Sequence, residues 1–239
     1  MDLTPEEQKI VDEAKVFARK NKNRIARAET DKTIYTPDAN PVSVFMAGSP
    51  GAGKTEIAKS FITELADNGN KILRLDVDIM REQFKSYNGG NSHLVQAGAN
   101  ILVERIHDLA LKNKQSFIFD GTFSNYDKAR KNIERSLQKN RTVLIMYIYL
   151  DPAQAWGFVK AREAVEGRRI IPELFMEQYF KAREVVNRLK AEFRGDIMVD
   201  LLVKNLDGDA PFYKDNIDVI DNHLPEKYDR ASILSITTN

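Results

Sequence analysis

Residues 48–55 read GSPGAGKT, which satisfies the pattern G-x-x-x-x-G-K-[ST] of a phosphate-binding loop. The motif follows an apolar segment, Val42–Ala47, and precedes a segment with the apolar spacing of a helix. In this setting glycines let backbone N–H groups close around phosphate, and the helix N-terminus adds partial positive charge. The sequence therefore predicts that the chain folds around a nucleotide-binding loop.

The motif also assigns roles to individual residues. Lys54 is expected to reach the β- and γ-phosphates, and the Thr55 hydroxyl is expected to ligate Mg²⁺. ATP is the favoured nucleotide, and GTP stays open as an alternative. The residues predicted to bind the nucleotide are Gly48, Ser49, Pro50, Gly51, Ala52, Gly53, Lys54 and Thr55.

Beyond this loop, short apolar runs alternate with segments of helical periodicity. Such alternation predicts an α/β fold of the P-loop NTPase type, with three layers and a mainly parallel central sheet covered by helices on both faces. The predicted strands are 42–47, 71–78, 116–120, 142–150 and 197–203, and the predicted helices are 54–68, 93–113, 126–139, 152–166, 172–193, 217–222 and one after Pro225.

The N-terminal region is predicted to form a helical extension. Thr4-Pro5-Glu6-Glu7 fits a capping box with proline at the first helical position, and the helix is expected to run to about Ala28. Residues 30–41 contain two prolines and are expected to connect this helix to the core. We accordingly divide the chain into residues 1–40, a helix and connector packed on the core, and residues 41–239, a kinase domain.

Composition excludes some classes of function. The 36 basic and 35 acidic residues give a formal net charge of +1, whereas dedicated nucleic-acid binders usually carry a basic excess, so nucleic acid is not expected as a partner. The absence of cysteine excludes disulfides and thiolate metal sites. No apolar run approaches the roughly 20 residues of a spanning helix, so we expect no membrane segment and a cytoplasmic location.

Two acids stand at the predicted end of the second strand, Asp76 and Asp78. Ligands of open α/β sheets bind beyond the carboxyl ends of the strands, where a carboxylate can accept the proton of an acceptor hydroxyl. Alternating side chains would point the two aspartates to opposite faces if the strand stays extended. From these residues alone, Asp78 is either this base or the cap of a turn that starts at Ile79.

Two further acids are candidates. The third strand ends in Asp120-Gly121-Thr122, where an acid suits a Mg²⁺-water contact or acceptor binding, although Asp-Gly also forms simple turns. Glu104 lies in a largely apolar part of the preceding helix, and it faces either solvent or a polar pocket.

The segment that contains Arg162, Gly167, Arg169 and Pro172 suggests a hinged break that carries two arginines. Arginines on such a segment can neutralise charge on a transferring phosphoryl group, so we expect an arginine-bearing lid. The alternative is surface charge paired with neighbouring glutamates. His93 and His107 are isolated and lack metal-ligand spacing.

Taken together, GSPGAGKT, the strand end DVD, Glu104 ahead of DGT, and R-x6-R-x-x-P resemble the zeta-toxin family of P-loop kinases between about residues 41 and 205. Members of that family phosphorylate UDP-N-acetylglucosamine on its 3′-hydroxyl. The resemblance implies that Asp78 is the catalytic base and that Lys54, Arg162 and Arg169 act on the transferred phosphate. It also implies that Asp78, Glu104, Asp120 and Thr122 hold the acceptor.

Two positions depart from the family pattern. Asp120 stands where the better-known members have glutamate, and Ser124 stands where they have an arginine in the acceptor site. The loss of that charge puts the identity of the acceptor in question, although it leaves the kinase chemistry in place.

Three functions follow from the sequence. The first is a kinase for a sugar nucleotide, acting as a toxin that an antitoxin protein restrains in trans or that the N-terminal helix inhibits in cis. The second is a polynucleotide or other metabolite hydroxyl kinase with the same layout. The third is a nucleotide-dependent switch or ATPase without an acceptor.

Overall fold

A computed structural model describes residues 3–67, 71–167, 170–204, 211–225 and 227–238. Its strands are β1 Val42–Ala47, β2 Leu73–Asp76, β3 Phe117–Asp120, β4 Thr142–Leu150, β5 Met198–Lys204 and β6 Phe212–Lys214. Its α-helices are α1 Pro5–Glu29, α2 Lys54–Asp67, α3 Val77–Arg81, α4 Ser92–Lys112, α5 Tyr126–Leu137, α6 Pro152–Glu166, α7 Pro172–Phe193 and α8 Arg230–Thr238, and short 3₁₀ turns cover Arg194–Asp196 and Ile220–His223.

The six strands form one sheet in the order β2-β3-β1-β4-β5-β6. All neighbouring pairs are parallel except β5 and β6, which are antiparallel. The phosphate-loop strand β1 is therefore central, and the chain leaves it first toward β2 and later toward β4. Ligands of such sheets bind where the direction of connection reverses, which is beyond the carboxyl ends of β1 and β3.

Helices cover the sheet on both faces, as predicted. Right-handed crossovers place α2 on one face and α4, α5 and α7 on the other. Ion pairs link these three neighbours, from Lys128 of α5 to Glu104 of α4 and from Arg130 of α5 to Glu192 of α7. The predicted α/β architecture is confirmed.

The first helix forms an additional layer outside the sheet. The capping box is present, because Thr4 accepts from the Glu7 N–H and Glu7 accepts from the Thr4 N–H. The α1 helix packs along α4 and buries Ala14, Ala18 and Ile25. Gln115 ties the connector to the core through the carbonyl oxygens of Thr30 and Tyr35. The division into two units stays a prediction.

Three local predictions were wrong. The second strand ends at Asp76 instead of continuing to Asp78, and the short helix α3 follows at once. The tail contains a strand, β6, that the sequence did not indicate. A 3₁₀ turn over Ile220–His223 stands in place of the helix predicted for 217–222. No helix among the described ranges is long and apolar enough to cross a membrane.

Candidate active site

The phosphate loop connects β1 to α2 through three glycines that have positive φ angles. Gly48, Gly51 and Gly53 have φ of 136°, 75° and 83°. A Cβ on Gly48 would lie 2.3 Å from the carbonyl oxygen of Ile148, and one on Gly51 would lie 2.1 Å from that of Ala155. Glycine is therefore required at both positions, by conformation and by the close approach of β4 and α6.

Lys54 begins α2 and turns its side chain back over the loop. Its ammonium donates to the carbonyl oxygens of Gly48, at 3.0 Å, and Ser49, at 2.6 Å. The side chain is buried. These contacts hold the positive charge against the concave side of the loop, which is where the motif places the phosphates.

Thr55 connects the loop to the end of β3. Its hydroxyl donates to Oδ2 of Asp120 at 2.9 Å. Both groups are oxygen donors of the kind that Mg²⁺ takes, usually with one or two carboxylates, waters and substrate phosphates. The described residues contain no group of three or more acidic or histidine side chains that could hold a metal alone. Thr55 and Asp120 therefore fit Mg²⁺ held jointly with phosphate.

A largely enclosed arginine, Arg74 of β2, completes this cluster. Its Nη2 donates to Oδ2 of Asp120 at 2.7 Å and also to Oδ2 of Asp76. Burial raises the pKa of Asp76, the charges of Asp120 and Asp78 raise it further, and Arg74 partly offsets them. The side chains of Arg74, Asp76 and Asp120 are 14%, 10% and 6% exposed, so this is an interior charge cluster.

Asp78 is positioned by a cap rather than by a strand. Oδ1 of Asp76 accepts the Asp78 N–H at 2.8 Å, which starts α3 and ends β2. The alternation argument for these two acids therefore does not apply, and Asp76 is the capping residue. Asp78 forms ion pairs with Arg81, at 2.8 Å, and with Arg162, at 3.2 Å.

Arg162 lies within α6, which has the bounds predicted for this helix. Its Nε donates to Glu166 at 2.7 Å, and its Nη2 reaches Asp78. The helix ends at Gly167, whose φ is 70°. The loop between α3 and α4 touches this end, because a Cβ on Gly89 would lie 2.2 Å from the Glu166 carbonyl oxygen. Arg169 lies outside the described residues, and its role stays a prediction.

The two remaining predicted site residues are Thr122 and Glu104, and they differ in how near they lie to the phosphate loop. Gly48 donates its N–H to the Thr122 carbonyl oxygen at 3.4 Å, and the Thr122 hydroxyl is 3.1 Å from that of Ser124. Thr122 thus adjoins the phosphate loop. Glu104 is partly exposed and pairs with Lys128 and Arg135 of α5.

Three basic residues of the site were missed. Arg74 and Asp76 are two apart on one strand and therefore share a face, a signal that the sequence contains. Arg81 follows Asp78 by three residues, which is one helical turn. Lys204, at the end of β5, places Nζ 2.3 Å from the position of a Cβ on Gly53, and no local pattern indicates that contact.

Known proteins resemble this chain in sequence and in fold. A family model described as Zeta toxin matches residues 25–218. An L-seryl-tRNA(Sec) kinase from Methanococcus maripaludis is 25% identical over 138 residues, which is 58% of this chain. The match spans about half (51%) of the length of that kinase.

Solved structures share the fold at low identity. A structure from the PezAT chromosomal toxin–antitoxin system of Streptococcus pneumoniae superposes with a TM-score of 0.63 and 16% identity, over 99% of this chain and 95% of that one. The AvrRxo1-ORF1:-ORF2 structure with ATP gives a TM-score of 0.58 and 19% identity, over 88% and 67%.

Proposed function

The chain belongs to the zeta toxin family, and on that premise we propose that it is a kinase that transfers the γ-phosphate of ATP to a hydroxyl group. The observation that carries the proposal is the series of contacts that runs from Thr55 of the phosphate loop through Asp120, Arg74 and Asp76 to Asp78 and Arg162. A protein that only binds nucleotide does not need the Asp78 carboxylate and Arg162 in addition to the Asp120 carboxylate. We favour the 3′-hydroxyl of UDP-N-acetylglucosamine as the acceptor, with toxicity as the consequence.

Each residue has a separate task in this mechanism. Lys54 neutralises charge on the donor phosphates, and Asp78 orients the acceptor hydroxyl and takes its proton. Arg162 breaks its ion pair with Asp78 and contacts the transferring group. The free-energy cost of breaking this pair is small, because the Arg162 side chain is 45% exposed. Thr55 and Asp120 would hold Mg²⁺, which would neutralise charge on the phosphates. Thr122 and Glu104 are proposed to hold the acceptor, and Arg169 to assist Arg162.

A screen of acceptors with labelled ATP tests the proposal. The panel contains UDP-N-acetylglucosamine, other sugar nucleotides, 5′-hydroxyl RNA and seryl-tRNA, with products identified by mass spectrometry. Phosphorylation of a sugar nucleotide by the wild type but not by Asp78→Asn supports the proposal. Phosphate release without any phosphorylated acceptor would favour the switch or ATPase.

The second candidate is a kinase for a hydroxyl on RNA. It is favoured by the similarity to the L-seryl-tRNA(Sec) kinase and opposed by the net charge of +1. Phosphorylated seryl-tRNA or RNA in the same screen, with binding that weakens steeply with salt, would select it.

An antitoxin that acts in trans is the regulation we favour. The solved relatives include toxin–antitoxin and two-component complexes. Inhibition in cis by α1 is less attractive because α1 buries alanines and Ile25 against the core, so its removal would uncover apolar surface. Growth arrest on expression, and its relief by a gene product encoded beside this chain, is the test.

A further inference from the structure

Arg74 of β2 has no task in the proposed transfer mechanism. Its side chain is largely enclosed, and it donates to two carboxylates, those of Asp76 and Asp120. Both contacts come from the same nitrogen, Nη2, while the buried Nε has no hydrogen-bond partner among the described residues. Arg74 therefore lacks the two-pronged geometry that makes arginine–carboxylate pairs strong.

The oxygen that Arg74 contacts on Asp120 is the one that Thr55 uses. Oδ2 of Asp120 accepts from Arg74 at 2.7 Å and from the Thr55 hydroxyl at 2.9 Å. A divalent cation held by Thr55 and Asp120 needs lone pairs at this same place. A guanidinium at hydrogen-bond distance from that oxygen would repel the cation.

Charge explains why an arginine is present before nucleotide binds. Two enclosed carboxylates that contact a single nitrogen repel each other, and an unpaired buried charge is strongly destabilising. Arg74 supplies one positive charge to both. It can release Asp120 and keep Asp76, because the two hydrogens of Nη2 can serve different carboxylates.

We propose that Arg74 is an internal counter-ion that holds Asp120 in place until a divalent cation replaces it there. Arg74 is thus a positioning residue, which acts on the phosphate site through Asp120. The inference rests on the proposed donor site, although not on the identity of the acceptor. It implies that the wild type binds a divalent cation weakly without nucleotide, and that removal of the Arg74 charge raises that affinity.

The experiment compares the wild type with Arg74→Met by thermal unfolding, without nucleotide, at increasing Mg²⁺ or Mn²⁺. Without cation, Arg74→Met is expected to lower Tm by about 10 °C, because it leaves two enclosed carboxylates unpaired. A saturating concentration of the cation is expected to raise the Tm of Arg74→Met by about 5 °C or more and to leave the Tm of the wild type almost unchanged. Mn²⁺ binding followed by electron paramagnetic resonance gives a second readout.

Three controls separate the proposal from a general loss of packing. Arg74→Lys keeps the charge and should behave as the wild type. Arg74→Met combined with Asp120→Asn should lose the cation response. Arg183→Met removes an arginine that is also 14% exposed but pairs with Asp221, away from the site, and should show no response.

Absence of a cation response in Arg74→Met, or an equal response in Arg183→Met, would overturn the proposal. If Arg74→Met does not fold, Mn²⁺ binding is measured on Arg74→Gln instead. Binding no tighter than that of the wild type would then overturn the proposal. Failure of the acceptor screen would instead count against the proposed function and leave this result untouched.

Discussion

His107 on α4 makes stability depend on pH in a way that the structure allows us to quantify. The imidazole is fully buried and lies edge-on to Phe117 and Phe119, with ring centroids 4.9 and 5.4 Å away. Its Nδ1 is 3.4 Å from Arg135, and its Nε2 has no hydrogen-bond partner within the ranges described. Burial is the largest cause that lowers the pKa of His107 from 6.5 to about 3, and the positive charges of Arg135, Arg141 and Lys128 contribute to the same shift.

The sign follows from proton binding. The unfolded chain takes up a proton near pH 6.5, whereas the folded chain does so only near pH 3. The contribution of His107 to stability is therefore complete above pH 6.5 and decreases as the pH falls toward 3. At 1.36 kcal/mol per pKa unit, the loss at pH 5 is about 2 kcal/mol, which lowers Tm by about 4–8 °C in a chain of this size.

The assay is thermal unfolding of the wild type and His107→Phe at pH 7.5 and pH 5. Between these pH values, the Tm difference should move by about 4–8 °C in favour of His107→Phe. Replacement of the exposed His93 by phenylalanine should leave the pH dependence of the wild type unchanged. Parallel pH profiles for the wild type and His107→Phe, or a His107 resonance that titrates near pH 6.5, would refute the reasoning.

Three further predictions concern the site and its support. Asp78→Asn should slow transfer by about 10²–10⁴-fold. It should also lower Tm, because the enclosed Arg81 loses the charge that it pairs with at 2.8 Å; an equal loss of ATP binding would contradict this prediction. Lys54→Ala should abolish the rise in Tm that Mg·ATP causes in the wild type, and a preserved rise would exclude Lys54 from the donor site. Gly98→Ala should lower the free energy of unfolding by about 1–3 kcal/mol, because the new Cβ would lie 2.7 Å from the Phe84 ring and 2.9 Å from the Ala14 carbonyl oxygen. Helix propensity alone predicts the opposite, a gain in stability. An increased Tm in the same unfolding assay would contradict the prediction.

Some elements could be predicted closely because their signals are local. The nine residues Thr142–Leu150 are almost entirely apolar and rich in β-branched and aromatic side chains, and they form β4 as predicted. Pro152 and Gly167 bracket α6 through the fixed φ of proline and the left-handed conformation of glycine. The phosphate loop could be predicted for the same reason, because its conformation follows from the local spacing of the residues in its motif.

Other features depend on competing local interactions or on contacts between residues that are far apart in the sequence. The end of β2 was misplaced because the Asp76 carboxylate captures the Asp78 N–H and starts a helix, an outcome that apolar periodicity does not register. The pairing of Arg74 with Asp120 joins residues 46 positions apart. The three residues of β6 are all exposed, so no burial pattern could reveal that strand.

The two edges of the sheet have a consequence for handling the protein. The β2 edge has four residues, and the opposite edge, β6, has three and runs antiparallel to its neighbour. Short edges expose few unpaired backbone groups to a second molecule, which limits edge-to-edge strand pairing. Longer parallel strands, such as β4 with nine residues, lie inside the sheet. Loss of β6 would turn β5, which has seven residues, into the edge strand, and is therefore the change most apt to cause aggregation during purification.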